Sequence, residues 1–455
     1  MTHADRLADF VARAAYEDLS ESAMRTLKIR VLDSLGCAIG ALGAEPVRMI
    51  REHIEEFGGS QLATLIGGRK SAPDRAALYN GALVRYLDYN DSYLAPRETC
   101  HPSDNLGAVL ATAEYAGGTG KDLLTAMAVA YQVQCRLSEV APVRATGFDH
   151  TTQGAYAAAA GSARALGLDA ERAANAVAIS GTSNNALRVT RTGPLSHWKG
   201  LAYANTGAAA THAAFLAGRG ITGPPEVFEG NKGFMDAISG PFEIDWAQED
   251  LEAVTRTVIK KYNAEIHSQS ALEGILELRE RNGIDPVEVS SVELETFDVA
   301  HDIIGGGEEG EKKTVRTKEE ADHSLPYMLA VALLDGEVYP AQYEPERIAS
   351  SDVQSLLQKV EVRSAEDLSL RFPEEMPARL RVLTGDDGEF TIEKRDYEGF
   401  LTHPLSWERA LEKFERLASP SAEESLIESI AEAVRHLDAI EVRELTGLLG
   451  RVNRK

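Results

Sequence analysis

Residues Ala155 to Leu168 read AYAAAAGSARALGL, and the fold class turns on them. Alanine favours helix because its side chain gives up no rotamer freedom, and small side chains let neighbouring helix axes approach closely. The same composition runs through AERAANAVAISG (Ala170 to Gly181) and TGAAATHAAFLAGRG (Thr206 to Gly220). From residue 5 to about 260 the pattern is overwhelmingly helical. It predicts a compact domain whose central helices are buried on most sides.

At about residue 265 the periodicity changes. VSSVELETF (Val289 to Phe297) alternates Val292, Leu294 and Thr296 with glutamates, as a half-buried strand does. KVEVR (Lys359 to Arg363) repeats the habit, and ARLRVLTGDDGEFTIEKR (Ala378 to Arg395) reads as two strands joined by a turn at Asp386, Asp387 and Gly388. Between them, ADHSLPYMLAVALLDG (Ala321 to Gly336) reads as a helix with a polar mouth. Near the C-terminus, Ser421 and Glu424 have the spacing of a capping box ahead of Leu426, Ile427, Ile430, Val434 and Leu437 at helical intervals. The expectation is a mainly α protein. A large all-helical domain covers 1–265, with 405–455 packing back on it, and a smaller α+β domain covers 266–404.

A chain of 455 residues with 44% hydrophobic content can bury a large core. No run approaches the roughly 18 apolar residues of a membrane span, and MTHADRLADF is unlike a signal peptide, so a soluble cytoplasmic protein is expected. Cys37, Cys100 and Cys135 are far apart and suggest neither disulfides nor a zinc site. A formal net charge of −24 argues against nucleic acid and anionic membranes as partners. Only 14 of the 47 basic residues are lysine, and such a surface suits either a salt-adapted protein or an ordinary acidic one.

GGTGKD (Gly117 to Asp122) is close to a phosphate loop, but its first glycine is missing and aspartate follows the lysine, so it reads as a turn between helices. GxGxxG after a strand, HExxH, GxSxG and paired-cysteine patterns are absent, and the cysteine spacing does not suit an iron–sulfur cluster. Five polar clusters remain, each at the start of an apolar helix or within one. The first holds Asp88, Asp91, His101, Ser103, Asp104 and Asn105; the second His150, Thr151 and Thr152; the third Arg188, Arg191, His197 and Lys199; the fourth His267, Ser268, Gln269 and Ser270; the fifth His323, Ser324 and Tyr327. Each alone has a structural explanation. Ser103 and Asp104 can cap a helix, a histidine at a helix start is more often a cap or a satisfied core residue, and Arg188 and Arg191 can pair with carboxylates. The same helix start also offers N–H donors and a favourable dipole to a carboxylate ligand. Together the clusters concentrate basic and hydroxyl groups in an acidic chain.

YNDSYLAPRETCHPSDN, GFDHTTQG, LSHWKGLAYANT, AEIHSQSALE and DHSLPYMLAVALLDG resemble the MmgE/PrpD family, in matching order from about residue 5 to about 415. The resemblance implies a helical main domain with a small α+β lid, usually in a homodimer, and a pocket where the two meet. It further implies a hydro-lyase of propionate metabolism that needs no metal, iron–sulfur cluster or other cofactor and dehydrates 2-methylcitrate, or citrate. Carried over by motif, the site residues are Asp91, His101, His150, Lys199, His267 and Tyr327. The expected division makes His101, Asp91, Lys199, His267 and Tyr327 catalytic, and His150, Ser103, Arg188, Arg191, Gln269 and His323 substrate-binding.

A tricarboxylate needs concentrated cations and N–H donors, and its dehydration needs a base for a weakly acidic C–H and an acid for the departing hydroxyl. Histidine fills either role. The expectation is that Asp91 positions His101 in an acid–base pair, with His267 or Tyr327 as counterpart and Lys199 stabilising a carboxylate. The rivals are decarboxylation of cis-aconitate or isomerisation of a dicarboxylate on the same fold, and, less favoured, a polycarboxylate-binding protein without turnover.

Overall fold

The computed structural model describes residues 1–385 and 388–453. Helix accounts for 58% of it and strand for 9%, which makes the protein mainly α with a small α/β part. The chain forms two compact units. One comprises Met1–Thr190, Gly200–Thr257 and Ser406–Lys455, the other Arg191–Lys199 and Val258–Leu405. Among the described residues no helix is long and apolar enough to cross a membrane.

The first unit is built around the alanine-rich segments. The helix Thr151–Ala165 is buried at every residue except Arg164, which is possible only because alanine, glycine and serine leave room for neighbours on all sides. Small residues also set the crossing of Pro73–Tyr86 with Leu106–Ala116. A Cβ on Gly107 would lie 2.5 Å from the backbone nitrogen of Gly81, so only glycine fits. GGTGKD is the turn between helices that its sequence indicates. Gly117 closes Leu106–Ala116 at φ 67°, and Thr119 and Asp122 form the capping box of Gly120–Val140.

This unit departs from the all-helical expectation at two short antiparallel ladders, Ala63–Thr64 with Lys70–Ser71 and Tyr93–Ala95 with Glu98–Cys100. Strands of two or three residues show too little alternation to register in a sequence. The second ladder matters for the site because it delivers the chain to His101. The C-terminal helices Trp407–Ala418, Glu424–Arg435 and Val442–Leu449 belong to the same unit. The capping box expected at Ser421 is not formed. Glu423 is the N-cap, while the Ser421 N–H bonds the Ala418 carbonyl and its own carbonyl accepts from Asn453.

The second unit holds a four-stranded sheet in the order Val360–Ser364, Val289–Thr296, Ala378–Thr384, Glu389–Lys394, with the first pair parallel and the others antiparallel. Val292, Leu294 and Thr296 are buried as their alternation predicts, and Leu294 sits opposite Leu380. Helices Gln269–Asn282 and Leu325–Asp335 pack on the sheet and share its apolar core. Asp386 and Asp387 of the predicted turn lie outside the described residues. The helix expected from Ala321 is interrupted. A short helix, Lys318–Ala321, ends before Asp322, and the next starts at Leu325, with the Ser324 hydroxyl accepting the Tyr327 N–H at 3.1 Å. The break places Asp322 and His323 on a turn.

Candidate active site

In the first unit, strand Glu98–Cys100 ends at His101, a 3₁₀ turn follows over Pro102–Asn105, and the helix Leu106–Ala116 continues from it. Ser103 and Asp104 do not cap this helix. Both accept from Asn90 Nδ2 at 2.8 Å, which ties the turn to residues 88–92. The Ser103 N–H goes to Asp91 Oδ1 at 3.1 Å, so the carboxylate at this helix start is the protein's own. The Ser103 hydroxyl thus accepts and its N–H donates within the fold.

Asp91 is fully buried, and its Oδ2 accepts from Tyr131 at 2.7 Å and lies 3.6 Å from Arg30 Nε. Its link to His101 runs through the main chain. His101 Nδ1 is 2.8 Å from the Asp91 carbonyl and 3.0 Å from Ser92 Oγ. A carbonyl only accepts, so Nδ1 carries the proton. Residues 88–91 are held from several sides. Lys413 donates to the Tyr89 carbonyl at 2.8 Å and pairs with Asp33 at 2.6 Å, and Arg85 pairs with Asp88, whose φ of 55° is uncommon outside glycine.

His150 stands beside His101. The ring centroids are 5.3 Å apart at 76°, and His150 also stacks on Tyr203 with centroids 6.1 Å apart. Tyr203 reaches in against Gly154, where a Cβ would lie 2.4 Å from the ring, and donates to Asn105 Oδ1 at 2.9 Å. Asp149 flanks the cluster, 3.7 Å from His150 Nε2 and 3.8 Å from Arg188 Nη1. The structure therefore brings His101, His150 and Arg188 into one neighbourhood. Arg191 falls in the other unit and donates to the Lys199 carbonyl at 3.0 Å.

In the second unit the turn Asp322–His323 forms a hub. Asp322 Oδ1 meets Lys199 Nζ at 2.6 Å, Oδ2 meets Lys318 Nζ at 2.6 Å, and His323 Nδ1 lies 2.9 Å from Oδ1 and 2.8 Å from Lys199 Nζ. Burial would push the Asp322 carboxyl up, but the two lysines and His323 hold it well below its ordinary value. Two lysine Nζ atoms thus share one buried carboxylate. His267 is adjacent through Glu265, whose N–H donates to the Asp322 carbonyl at 3.2 Å. His267 Nδ1 is 2.7 Å from Glu265 Oε1, and its Nε2 is buried with no hydrogen-bond partner among the described residues.

Two expected site residues have other work. Gln269 is spent on main chain, accepting the N–H groups of Lys261 and Tyr262 at 3.0 Å and donating to the carbonyls of Tyr262 and Ala264. Tyr327 lies in the apolar core of the second unit, where its hydroxyl donates to the Gln342 carbonyl and burial raises its pKa well above the ordinary value. Sequence reasoning missed Glu265 and Asp322. The available signals were a glutamate two residues before a helix-start histidine and an aspartate directly before His323. The three cysteines are buried, and burial pushes the Cys135 thiol up, which suits packing better than metal binding.

The MmgE/PrpD N-terminal domain matches residues 5–247 and the MmgE/PrpD C-terminal domain matches 262–439. The gap between the matches contains the change of unit at Thr257/Val258. Among curated relatives, 2-methylcitrate dehydratase of Escherichia coli is 28% identical over 427 residues, covering 89% of this chain and 85% of that protein. The mitochondrial 2-methylcitrate dehydratase of Yarrowia lipolytica is 29% identical over 406 residues, with coverage of 85% and 76%. The alkylcitrate dehydratase phiI of a fungal species is 28% identical over 465 residues, with coverage of 93% and 89%.

Proposed function

The chain belongs to the MmgE/PrpD family, and on that premise we propose that it is a hydro-lyase eliminating water from 2-methylcitrate, and from citrate, to give 2-methyl-cis-aconitate and cis-aconitate. The names of its relatives support the reaction class. The observation that carries the reading is the cluster of Lys199, Lys318 and His323 around Asp322, beside a buried histidine whose Nε2 has no partner among the described residues. A trianionic substrate needs such cations, and a C–H next to a carboxylate needs such a base.

In this reading His101 and His267 are the acid–base pair. Lys199 stabilises the carboxylate through which negative charge spreads as the C–H bond breaks. His150, Arg188, Arg191 and His323 assist in substrate binding, and Asp91 acts by positioning His101. The work is assigned to side chains, so turnover without a metal or other cofactor belongs to the proposal. So do a homodimer, a cytoplasmic location and a place in propionate metabolism.

The test is to incubate the purified protein with 2-methylcitrate, with and without a strong chelator, and to follow the ultraviolet absorbance of the new conjugated double bond. The expected result is chelator-resistant absorbance, after which citrate and longer 2-alkylcitrates rank the substrate. Absence of a product from all of these, with carbon dioxide released from cis-aconitate, would replace the hydro-lyase by a decarboxylase.

A further inference from the structure

Glu265 accepts twice from one residue. Its Oε2 takes the His267 backbone N–H at 2.7 Å, and its Oε1 lies 2.7 Å from Nδ1 of the same histidine. The backbone on either side is fixed as well, the Glu265 N–H by the Asp322 carbonyl and its carbonyl by the Ser268 hydroxyl at 2.6 Å. Burial pushes the Glu265 carboxyl up, but His267, His323 and Lys260 outweigh that and hold it at about 2, so it is ionised at neutral pH. An ionised carboxylate only accepts, hence Nδ1 carries a proton and the lone pair of the neutral ring sits on Nε2. That nitrogen is buried in a residue 2% exposed, beside the stacked rings of Phe297 and Phe372, whose centroids are each 5.7 Å from the imidazole. Buried acceptors are ordinarily satisfied. One without a partner among the described residues, on a ring locked from its other side, is an acceptor kept for a group that a ligand brings.

We infer that Glu265 is the positioning residue of His267, fixing the Nδ1–H tautomer so that Nε2 is the atom that takes the proton from substrate carbon. The inference rests on the hydro-lyase reading and assigns the base within it. In the step, the C–H bond breaks and its proton goes to Nε2. The electron pair becomes the new C=C bond as the C–O bond breaks, and the hydroxyl leaves as water with a proton from a separate acid. The imidazolium that forms faces the Glu265 carboxylate, which stabilises it. The charged groups around the pair in this unit are Lys260 and His323, and, beyond His323, Asp322 with Lys199 and Lys318.

The test has two arms. In protein labelled with ¹⁵N-histidine, the signal that disappears in His267→Gln should report the Nδ1–H tautomer at neutral pH, whether or not any substrate turns over. In Glu265→Gln, kcat for 2-methylcitrate should fall by about ten- to a hundredfold with KM little changed. The acidic limb of its kcat/KM profile should also move to lower pH, because the imidazolium has lost its carboxylate. A merely structural Glu265 would lower Tm and leave that limb in place. The two failures look different. Absence of turnover by the unaltered protein on every alkylcitrate removes the hydro-lyase reading, whereas robust turnover with an Nε2–H tautomer or an unmoved limb overturns the inference alone.

Discussion

A polar side chain in a buried cluster is either committed to the fold or available to a ligand, and at His101, Tyr327 and Glu265 the difference can be measured. His101 spends Nδ1 on the Asp91 carbonyl. His101→Gln can still donate to that carbonyl but cannot transfer a proton. Turnover of 2-methylcitrate should fall by about a hundredfold or more while the circular dichroism spectrum and Tm stay near those of the unaltered protein. Tyr327 is the opposite case, its hydroxyl given to the Gln342 carbonyl. Tyr327→Phe should keep kcat within about twofold and lose about 1–3 kcal/mol in urea unfolding, the cost of a buried carbonyl left without its donor. A hundredfold loss of kcat would return Tyr327 to the mechanism. Glu265 adds a pH dependence. Its carboxyl is lowered from 4.5 to about 2 on folding. A depressed carboxylate contributes stability that is fully present above its unfolded pKa and is lost as pH falls through the folded one, here between about pH 5 and 2. The shift corresponds to about 3 kcal/mol at neutral pH. Urea unfolding should show Glu265→Gln less stable by that order at pH 7, with the gap narrowed by more than half near about pH 3. A gap independent of pH would mean that the carboxylate is not what His267 and its neighbours stabilise.

Elements with a clear period were legible, and those without one were not. The alanine-rich helices and the alternation of Val292, Leu294 and Thr296 declare themselves because burial repeats at 3.6 or 2 residues. The ladder Tyr93–Ala95 with Glu98–Cys100 is only three residues long on each side, and Ser421 has capping-box spacing without the box. At the site, residue type made His101, Lys199 and His267 candidates for chemistry. It could not tell that the Gln269 amide is bonded to main chain through both its atoms, because such bonds depend on which groups approach in space. Glu265 and Asp322 stood among 71 acidic residues, marked only by their places two residues before His267 and directly before His323. Helix crossings carry a prediction of the same kind. A Cβ on Gly107 would meet Gly81 N at 2.5 Å, Gly81 Cα at 2.7 Å and the Ala77 carbonyl oxygen at 2.9 Å, all backbone atoms that cannot step aside. A Cβ on Gly207, in the helix Trp198–Gly218, meets only the Ala108 Cβ at 3.7 Å, ordinary contact. Gly107→Ala should therefore cost about 2 kcal/mol or more, and Gly207→Ala should be neutral or stabilising by up to about 1 kcal/mol. Denaturant unfolding of the two variants side by side checks it, and equal effects would mean that close approach does not set this crossing.

The charge of the whole chain makes opposing demands on salt. An excess of 24 negative charges repels itself in the compact state, and at about 0.01 M ionic strength the Debye length of about 30 Å leaves that repulsion acting over much of the molecule. At about 0.15 M it shortens to about 8 Å, so distant like charges cease to interact. Salt also weakens attractive pairs such as Arg379 with Glu295 and Arg381 with Glu389 on the sheet of the second unit. Those pairs are exposed and worth about 0–1 kcal/mol each, and a Debye length of about 8 Å still spans their contact distances, so they lose little. The buried pairs, Lys199 with Asp322 and Lys413 with Asp33, are screened less again. Relief of long-range repulsion should therefore win. Tm should rise by a few degrees, about 2–5 °C, between about 0.01 and 0.5 M sodium chloride. A matched series in an uncharged osmolyte separates screening from general exclusion at the surface. A Tm that stays flat or falls in salt would mean that the surface pairs, in spite of their exposure, balance the net charge, and the low lysine content would then have no bearing on salt tolerance.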